Sequence, residues 1–359
     1  MSVTLDDISK ATGFSIPTVS RVLSNSRYPV SAATRQRILE VAQSLGYRPN
    51  LAARGLRTDR TNTVGILVDD IMSPFVPSIV RGIQDALVEQ GFSCMIMNSD
   101  WNPDLERAAI EGLLSRPVDG IIFVEYFHRA AHEALAQTQK PHLFVHRLFG
   151  GAVKNSIVPD DHHGAALAMR HLIDLGHRRI GYINGPESWH NSRDRLAGYR
   201  DELARHGLDV DPALIQPGDW EFESGYDAAT NLLALADPPT AIFAANDLMA
   251  LGAIYGLQDA GLAVPADVAV VGYDNRDFTQ IFRPKITTVS LPVYEMGRTA
   301  AERLLTQITT ERRGFEEIKI KGRLYVRESC GAATVMQTPD EPLGATKVRR
   351  ILLNKQPED

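Results

Sequence analysis

The stretch of residues 4–23, TLDDISKATGFSIPTVSRVL, limits the possible folds more than any other part of this chain. It predicts two short helices joined by a tight turn. Thr4 followed three residues later by Asp7 is a capping-box pattern, in which a hydroxyl and a carboxylate accept from free N–H groups at a helix start. The apolar face of the first helix consists of Leu5, Ile8 and Ala11. Gly13 permits the positive φ angle that the turn of a helix-turn-helix requires.

The second helix of this pair has the features of a DNA recognition helix. Ser15 is placed to cap it, and Pro17 falls in its first turn, where the missing N–H breaks no hydrogen bond. The side chains expected to pack inward are Val19, Val22 and Leu23. The side chains expected on the outward face or the exposed N-terminal end are Ile16, Pro17, Thr18, Ser20 and Arg21. Those positions meet base edges and phosphates in the major groove. The alternative is a small helical hairpin inside a larger domain.

A third helix and a short hinge follow. Ser31 and Thr34 open the helix, Gly46 ends it, and its predicted buried face consists of Ile38, Val41, Ala42 and Leu45. Pro49 blocks its continuation, and Asn50 is placed to cap the next seven residues, LAARGLR. A helix of about two turns is unstable alone in water, because nucleation costs more than so few hydrogen bonds return. We therefore expect this hinge to fold only against a partner.

The charge distribution agrees with a DNA-binding head. Nine Lys/Arg and four Asp/Glu give residues 1–60 a net charge of +5, so the remainder carries −11 of the total of −6. A basic head supplies the phosphate neutralisation on which non-specific DNA affinity depends. Two cysteines, Cys94 and Cys330, provide neither a disulfide framework nor a C-x-x-C metal site. The sequence has no signal segment and no apolar run of about 18 residues, so we expect a cytoplasmic protein with no membrane contact.

From residue 63 onwards, apolar strands alternate with helices. The predicted strands are 64–70, 93–100, 118–126, 141–148, 179–185, 214–219, 241–247, 268–275 and 286–292, with two terminal strands within 318–329. The predicted helices are one containing Ile79, Ile83 and Leu87 that ends at Gly91, and others at 103–115, 129–139, 192–206, 224–236, 248–260 and 294–309. This alternation indicates parallel sheets covered on both faces. Two doubly wound lobes would enclose a ligand cleft between the carboxyl ends of their strands.

The head and hinge together resemble the lactose/galactose repressor family of bacterial transcription regulators. The similarity rests on VTLDDISKATGFSIPTVSRVL and VSAATRQRILEVAQSLGYRPNLAARGLRT, and it continues to about Gly331. It implies an all-α helix-turn-helix head on an α/β core of two doubly wound lobes, like the type I periplasmic sugar-binding proteins. It also implies that the hinge helices of two protomers pair in the minor groove, where Leu56 opens a base step.

The resemblance and the pattern together predict four segments. They are a DNA-binding head (1–47), a hinge helix and linker (48–60), an effector-binding core (61–331) and a disordered tail (332–359). Within the core, the N-terminal lobe spans about 61–160 and 290–320, and the C-terminal lobe spans about 161–289 and 321–331. The tail contains only about one heptad of apolar spacing, which is too little for a tetramerising coiled coil.

The predicted DNA-binding residues occupy the head and the hinge. They are Thr4, Ser15, Ile16, Pro17, Thr18, Ser20, Arg21, Asn25, Ser31, Thr34, Asn50, Arg54 and Leu56. The effector-binding residues carried over from the family are Phe75, Asn191, Arg195, Trp220, Asn246 and Asp274. An arginine fork suits vicinal hydroxyls or a carboxylate, and a tryptophan can stack on a sugar face. Helix capping is the alternative role of Asn and Asp at strand ends, and we favour it for Asp247.

Two departures from the family pattern leave the identity of the effector open: Ser73, and His146 before Arg147, where an aspartate is common. The pair His162–His163 also maps near the cleft mouth. Metal binding is not predicted, because His128 and His132 lack the glutamate of H-E-x-x-H. His142 and His146 stand four apart in a strand, roughly 13 Å from one another, too far to share one ion.

The sequence therefore predicts a homodimeric repressor of carbohydrate-metabolism genes, not an enzyme, with no cofactor. It binds a near-palindromic operator, and a sugar-like effector between the lobes controls its DNA affinity through a coupling free energy. The alternative is a sugar-binding or sugar-processing protein with an accessory helical head. The sequence contains no convincing catalytic pair, which argues against the enzyme.

Overall fold

The computed structural model describes residues 3–24, 28–47, 60–124, 140–146, 155–310 and 314–332. The chain divides into two compact units, Met1–Thr61 and Asn62–Asp359, and each is described by itself. The helices of the first unit are α1 (Leu5–Thr12), α2 (Ile16–Leu23) and α3 (Ala32–Ser44). They enclose a small core formed by Ile8, Val19, Val22, Ile38 and Ala42. Among the described residues, no helix is both long and apolar enough to cross a membrane.

The helix starts of the head follow the predicted capping pattern closely. The Thr4 backbone N–H donates to Asp7 Oδ2 over 2.8 Å, and the Asp7 N–H donates to Thr4 Oγ1 over 3.3 Å, which is the complete capping box. Gly13 ends α1 with φ 75°. Ser31 caps α3 through the Thr34 N–H over 3.1 Å. Ser15 stands at the N-cap of α2 but makes no capping hydrogen bond, because its hydroxyl pairs with Thr18 Oγ1 at 2.9 Å instead.

Two predicted core positions of the head are wrong. Ala11 is exposed, because the inward side of the last turn of α1 is taken by Thr12, whose hydroxyl donates to the Ile8 carbonyl over 2.7 Å. Leu45 is also exposed, since α3 ends at Ser44 and the chain turns away at Leu45 and Gly46. A strict helical period extended past a helix end therefore overestimates the buried face.

The second unit contains two six-stranded sheets. The first has the strand order β11-β5-β4-β3-β1-β2 and the second β12-β10-β9-β8-β6-β7. The first five strands of the chain all belong to the first sheet. They are β1 (Thr63–Val68), β2 (Ser93–Asn98), β3 (Gly120–Val124), β4 (His142–Val145) and β5 (Ser156–Pro159). Those of the second sheet are β6 (Ile180–Ile183), β7 (Ile215–Gln216), β8 (Ala241–Ala244), β9 (Ala269–Asp274) and β10 (Thr287–Ser290). The last two strands are β11 (Ile318–Ile320) and β12 (Leu324–Tyr325).

Neighbouring strands run parallel in both sheets, except that β12 pairs antiparallel with β10. The helices of this unit are α4 (Val76–Glu89), α5 (Pro103–Ser115), α6 (Asp161–Asp174), α7 (His190–Arg205), α8 (Phe222–Leu233), α9 (Asp247–Asp259) and α10 (Val293–Thr310). Two short 3-10 helices lie at Pro212–Leu214 and Asp277–Gln280. The predicted fold class is confirmed: an all-α head and a core of two doubly wound, parallel sheets.

The chain crosses between the two sheets three times. It leaves the first sheet after β5, returns to it after β10, and leaves it again between β11 and β12. The described crossing residues are Asp160, the pair Leu291–Pro292 and the segment 321–323. Three crossings hold the lobes side by side and bring the carboxyl ends of both sheets to one cleft, where ligands bind in open α/β folds.

The predicted pattern omitted two elements, β5 and α6. The strand is only four residues long, SIVP, and its proline removes one ladder donor, so neither length nor alternation marks it. Helix α6 starts with Asp-His-His-Gly, a polar run that hides its later apolar face. The helix predicted at 129–139 lies outside the described residues, as do the ends of the strands predicted at 118–126 and 141–148.

Helices α4 and α10 cross at two glycines. A Cβ atom at Gly82 would overlap the Tyr294 carbonyl oxygen, and a Cβ at Gly297 would overlap the Ile79 carbonyl oxygen. Because backbone rather than side chain blocks each position, the helices must separate to admit a methyl group.

We expect Gly82→Ala to destabilise the core by about 1–3 kcal/mol, because overpacking outweighs the gain in helix propensity. The matched control is Gly112→Ala in α5, where the added methyl would approach closely only the far end of the Arg116 side chain and would make an ordinary contact with Met97. The control should be neutral or up to about 1 kcal/mol more stable. Denaturant unfolding of both variants measures the difference, and equal stabilities would contradict the close crossing.

Candidate DNA-binding face and effector site

The outward face of α2 matches the expected recognition surface in its exposure. Ile16 is 43% exposed, although isoleucine side chains are usually buried in folded proteins. Pro17 and Arg21 are exposed, whereas Thr18 and Ser20 are half-buried. Thr4, Ser15 and Ser31 stand at the N-termini of the three helices, where backbone N–H groups and the helix dipole favour phosphate. Asn25, Asn50, Arg54 and Leu56 lie outside the described residues, so their roles stay predictions.

One residue of this face was missed from the sequence. The guanidinium of Arg21 lies 4.1 Å from the centre of the Tyr28 ring, in cation–π geometry. An arginine reads guanine by pairing both of its donors with the base edge, which requires a defined orientation. The ring of Tyr28 limits the orientations of Arg21. The one signal of this contact in the sequence is Tyr28 itself, a single aromatic residue in an otherwise polar loop.

In the core, the predicted ligand arginine is buried and already bonded. Arg195 on α7 donates through Nε to Asp161 Oδ1 over 2.8 Å, and through Nη1 to the Ala245 carbonyl. Its guanidinium lies 3.8 Å from the Tyr273 ring centre and 5.6 Å from that of Trp220. Asp161, which holds it, was not predicted, because it opens α6, an element absent from the predicted pattern.

Asp274, at the carboxyl end of β9, connects this cluster to an open cavity. Its Oδ1 lies 3.6 Å from Arg195 Nη1, and its backbone has φ 111°, a strained value of the kind found at functional sites. The cavity has a volume of about 570 Å³ and is lined by residues from both lobes, including Phe75 after β1 and Asp274 after β9. The structure therefore brings Phe75 and Asp274, from opposite sheets, to one cavity.

The cap assignment at the tip of β8 is wrong. Asn246, not Asp247, caps α9: its Oδ1 accepts from the Met249 N–H over 2.8 Å, while its Nδ2 donates to the Trp220 carbonyl over 2.8 Å. Asp247 is fully buried and accepts from Thr288 Oγ1 at 2.5 Å and from the Arg276 N–H at 2.8 Å. It thereby holds the turn after Asp274. Sequence spacing cannot distinguish adjacent Asn and Asp, because either side chain caps well.

The remaining predicted effector residues surround the arginine without lining the cavity. Trp220 has φ 76° and packs edge-on against Trp189, with ring centres 6.0 Å apart. A Cβ at Gly185 would overlap the Trp220 ring, so that glycine admits the indole. Asn191 is half-buried at the start of α7 and accepts from the Ser192 N–H over 2.9 Å. The ligand roles of these residues stay predictions.

Burial dominates the electrostatics of this site. It raises the pKa of Asp161 and the pKa of Asp274, and the positive charge of Arg195 opposes both shifts. Burial also raises the pKa of Asp247 to about 7, while hydrogen bonds from Thr288 and Arg276 lower it. The pKa of Arg195 is raised despite its burial, mainly by Asp161, so the guanidinium stays charged.

The histidines in the described part of the chain do not assemble a metal site. Within the described residues, no group of three or more His, Cys, Asp and Glu could hold a metal ion. His162 pairs with Asp201 at 2.8 Å on the surface, and His142 Nδ1 lies 3.0 Å from the Lys140 carbonyl oxygen. His128 and His132 lie outside the described residues.

Comparison with known proteins identifies the family of this chain. Residues 4–50 match the profile described as bacterial regulatory proteins, lacI family, and residues 169–330 match the periplasmic binding protein-like domain. Catabolite control protein A of Priestia megaterium is 35% identical over 331 residues, which are 92% of this chain and 99% of that protein. The chain belongs to the lacI family of bacterial regulatory proteins. Two functional parts follow, a DNA-binding head and an effector-binding core.

Two solved structures extend the likeness across both parts. The lac repressor dimer bound to operator and the anti-inducer ONPF has a TM-score of 0.76 and 29% identity, over 92% of this chain and 99% of that one. The transcriptional regulator CelR in complex with cellobiose has a TM-score of 0.67 and 33% identity, over 91% of this chain and 99% of that one. The relatives are DNA-binding transcription regulators, and this lacI-family chain is one as well.

We expect Tyr28→Ala to weaken specific DNA binding about two- to fivefold, because an exposed cation–π contact contributes about 0.5–1 kcal/mol. Tyr28→Phe keeps the ring and should bind like the wild type. Fluorescence anisotropy on a duplex selected from a random library measures both affinities. If Tyr28→Phe binds DNA as weakly as Tyr28→Ala does, the ring at position 28 does not orient Arg21.

We expect the stability of the core to fall as pH rises between 3.8, the ordinary Asp value, and about 7, the pKa of buried Asp247. In this window the folded state binds more protons than the unfolded state, so each rise in pH favours unfolding. The contribution is about 2–4 kcal/mol. Asp247→Asn should make the decline shallower, while the exposed control Asp277→Asn should not. Thermal melts across this range would contradict the assignment if both variants kept the wild-type slope.

Proposed function

We propose that this chain is a homodimeric repressor that binds a near-palindromic operator, and that a sugar-like effector in the core cleft controls its DNA affinity. The regulated genes are those of carbohydrate metabolism. In this proposal the head reads DNA with α2, and Leu56 in the hinge opens a base step, as the family resemblance implies. A regulator of chromosomal genes works in the cytoplasm. The core has a binding role and no catalytic one.

The observation that carries the proposal is the shared lining of the 570 Å³ cavity. Phe75 comes from the first sheet and Asp274 from the second, and the crossing residues Leu291 and Pro292 line the same space. A ligand that contacts both lobes stabilises one arrangement of the lobes, open or closed, relative to the other. Such differential binding is the requirement for allosteric control.

The chemistry of the lining favours a carbohydrate. Aromatic rings of Phe75, Phe278 and Tyr325 offer apolar faces, while Asp274 and Asn275 offer polar groups at strand ends. Sugars present the same combination, with C–H faces for stacking and hydroxyls for hydrogen bonds. The cellobiose bound by CelR supports the same class of effector for this chain.

A packed route leads from the cleft to the surface of the N-terminal lobe. Helix α10 begins at Val293, immediately after a crossing, and its Tyr294 hydroxyl donates to Asp85 of α4 over 3.0 Å. Arg298 of α10 donates to both oxygens of Glu89 on α4, over 3.0 and 2.9 Å. Movement of the crossing therefore displaces α4 together with α10.

The face beside α4 fits a second copy of this chain. Strand β2 is an edge strand of the described sheet and exposes Met95 and Ile96, 38% and 39% accessible, and Val88 on α4 is 70% exposed. Apolar residues on an exposed edge mark interaction surfaces. Pairing here would set the spacing of two hinges, as the dimeric lac repressor relative supports. Because the hinge helix is only marginally stable alone, the spacing of the two hinges would decide whether both fold on the operator.

The deciding experiment combines DNA selection with a sugar response. Selection from random duplexes should enrich a near-palindromic site, and at least one of a panel of mono- and disaccharides that includes cellobiose should change its affinity tenfold or more. Asp274→Asn should abolish this response with DNA affinity retained, because it removes the buried carboxylate of the cleft. The matched control is Asp277→Asn, an exposed carboxylate of the same cavity, which should respond like the wild type.

Two outcomes would contradict the proposal. One is a protein that retains no duplex at low salt, and the other is an Asp274→Asn variant with an unchanged dose response. Turnover of a chromogenic glycoside by the purified protein would support the rival class, a sugar-processing enzyme.

A further inference from the structure

The buried cluster behind the cleft holds more acidic than basic side chains. The side chains of Asp161, Arg195 and Asp274 are only 3%, 2% and 5% exposed. One guanidinium therefore lies between two carboxylates, and a third buried carboxylate, Asp247, supports the turn after Asp274. A buried charge is stable only when a partner compensates it. Any group that enters beside this cluster meets an excess of acidic oxygen.

The geometry decides which carboxylate holds the arginine. Asp161 Oδ1 accepts from Arg195 Nε at 2.8 Å, whereas Asp274 Oδ1 lies 3.6 Å from Arg195 Nη1, beyond hydrogen-bond distance. Asp161 is the first residue of α6, directly after the crossing from β5, so the backbone fixes its position. Arg195 is thus paired with Asp161, which compensates the positive charge that would attract an anion. Asp274, which lines the cavity, is the acidic group that needs a donor.

The same region also holds buried polar atoms that need partners. Within the described residues, Trp220 Nε1 and Ser192 Oγ are buried and make no hydrogen bond. Ser192 stands three residues before Arg195 on α7, so both lie on one helix face, and the Trp220 ring lies over Arg195. An indole N–H requires an acceptor, while the Asp274 carboxylate requires a donor. A hydroxyl group supplies both, a phosphate only accepts, and an ammonium group only donates.

We propose that the cleft selects a neutral polyhydroxy effector, and that Asp161, by engaging Arg195, excludes phosphorylated and carboxylated sugars. This inference rests on the proposed function, in which a sugar-like molecule binds between the lobes. Asp161 is a positioning residue, since it acts through Arg195 and does not line the cavity. An anionic group placed among these carboxylates would suffer like-charge repulsion at low dielectric constant.

The basic residues of the cavity do not reverse this preference. Arg276, Lys321 and Arg323 line it, and the acidic residues Asp277 and Glu295 line it as well. Lys321 and Arg323 are exposed on a crossing segment, while Arg276 is half-buried with its guanidinium 5.1 Å from the centre of the Phe278 ring. Water and salt screen exposed charges strongly, whereas the buried cluster is screened little.

The test compares matched ligands on three proteins. Calorimetry measures the Kd of glucose, glucose 6-phosphate and glucosamine, then of galactose and cellobiose with their 6-phosphates, for the wild type, Asp161→Asn and Asp160→Asn. In the wild type, the neutral member of each set should bind at least about tenfold more tightly, because like-charge juxtaposition costs several kcal/mol. Asp161→Asn should reduce that ratio by about three- to tenfold, since it removes the buried negative charge that compensates Arg195.

Asp160→Asn is the matched control, because it removes the neighbouring carboxylate, a half-buried helix cap, and asparagine caps equally well. Its ratio should equal that of the wild type. Tighter wild-type binding of a phosphorylated member or of glucosamine overturns the inference, and so does an equal ratio in both variants. If Asp161→Asn does not fold, the wild-type ratios decide alone. Failure of every sugar to bind, with duplex DNA still bound, overturns the sugar effector itself.

Discussion

The ion pair between Asp161 and Arg195 is the interaction on which the effector side of this molecule depends. It joins the first residue after a lobe crossing to a helix of the second lobe, and both side chains are almost fully buried. Breaking such a pair by removing one partner typically costs about 3–5 kcal/mol, because the remaining charge stays buried. The pair therefore fixes where α6 and α7 meet. Through Arg195 it also fixes the space that remains for Asp274 and Trp220.

The positions of the other site residues follow from sheet topology. Asn246, Asp247 and Asp274 stand at the carboxyl ends of neighbouring parallel strands, so their side chains converge without any special loop. Three of the positive φ angles at non-glycine residues lie at the same edge, where Trp220, Asp274 and Asn275 have φ of 76°, 111° and 57°. The surrounding buried sheet maintains these angles, and the hydrogen bonds of Asp247 hold the turn.

Sequence reasoning succeeded where local chemistry decides structure and failed where packing decides it. The capping box of α1, the turn at Gly13 and the alternation of strands depend on neighbours in sequence, and each was predictable. The partner of Arg195 was not predictable. Asp161 opens helix α6, which starts with polar residues and follows β5, a strand of only four residues. Asn246 and Asp247 exchange roles because two adjacent caps are equivalent until Thr288 and Arg276 are brought beside one of them. Tyr28 stacks on Arg21 across a loop, a contact that no periodicity encodes.

The glycine crossing of α4 and α10 has a mechanical consequence. Where long side chains separate two helices, rotamer changes absorb small displacements before they reach the partner. At Gly82 and Gly297 backbone touches backbone, so no such compliance exists at that point. We therefore expect a shift of the chain at Pro292 to move α10 and α4 together as one rigid pair. This contact couples the crossing rigidly to the N-terminal lobe, and the coupling depends on two residues that have no side chain.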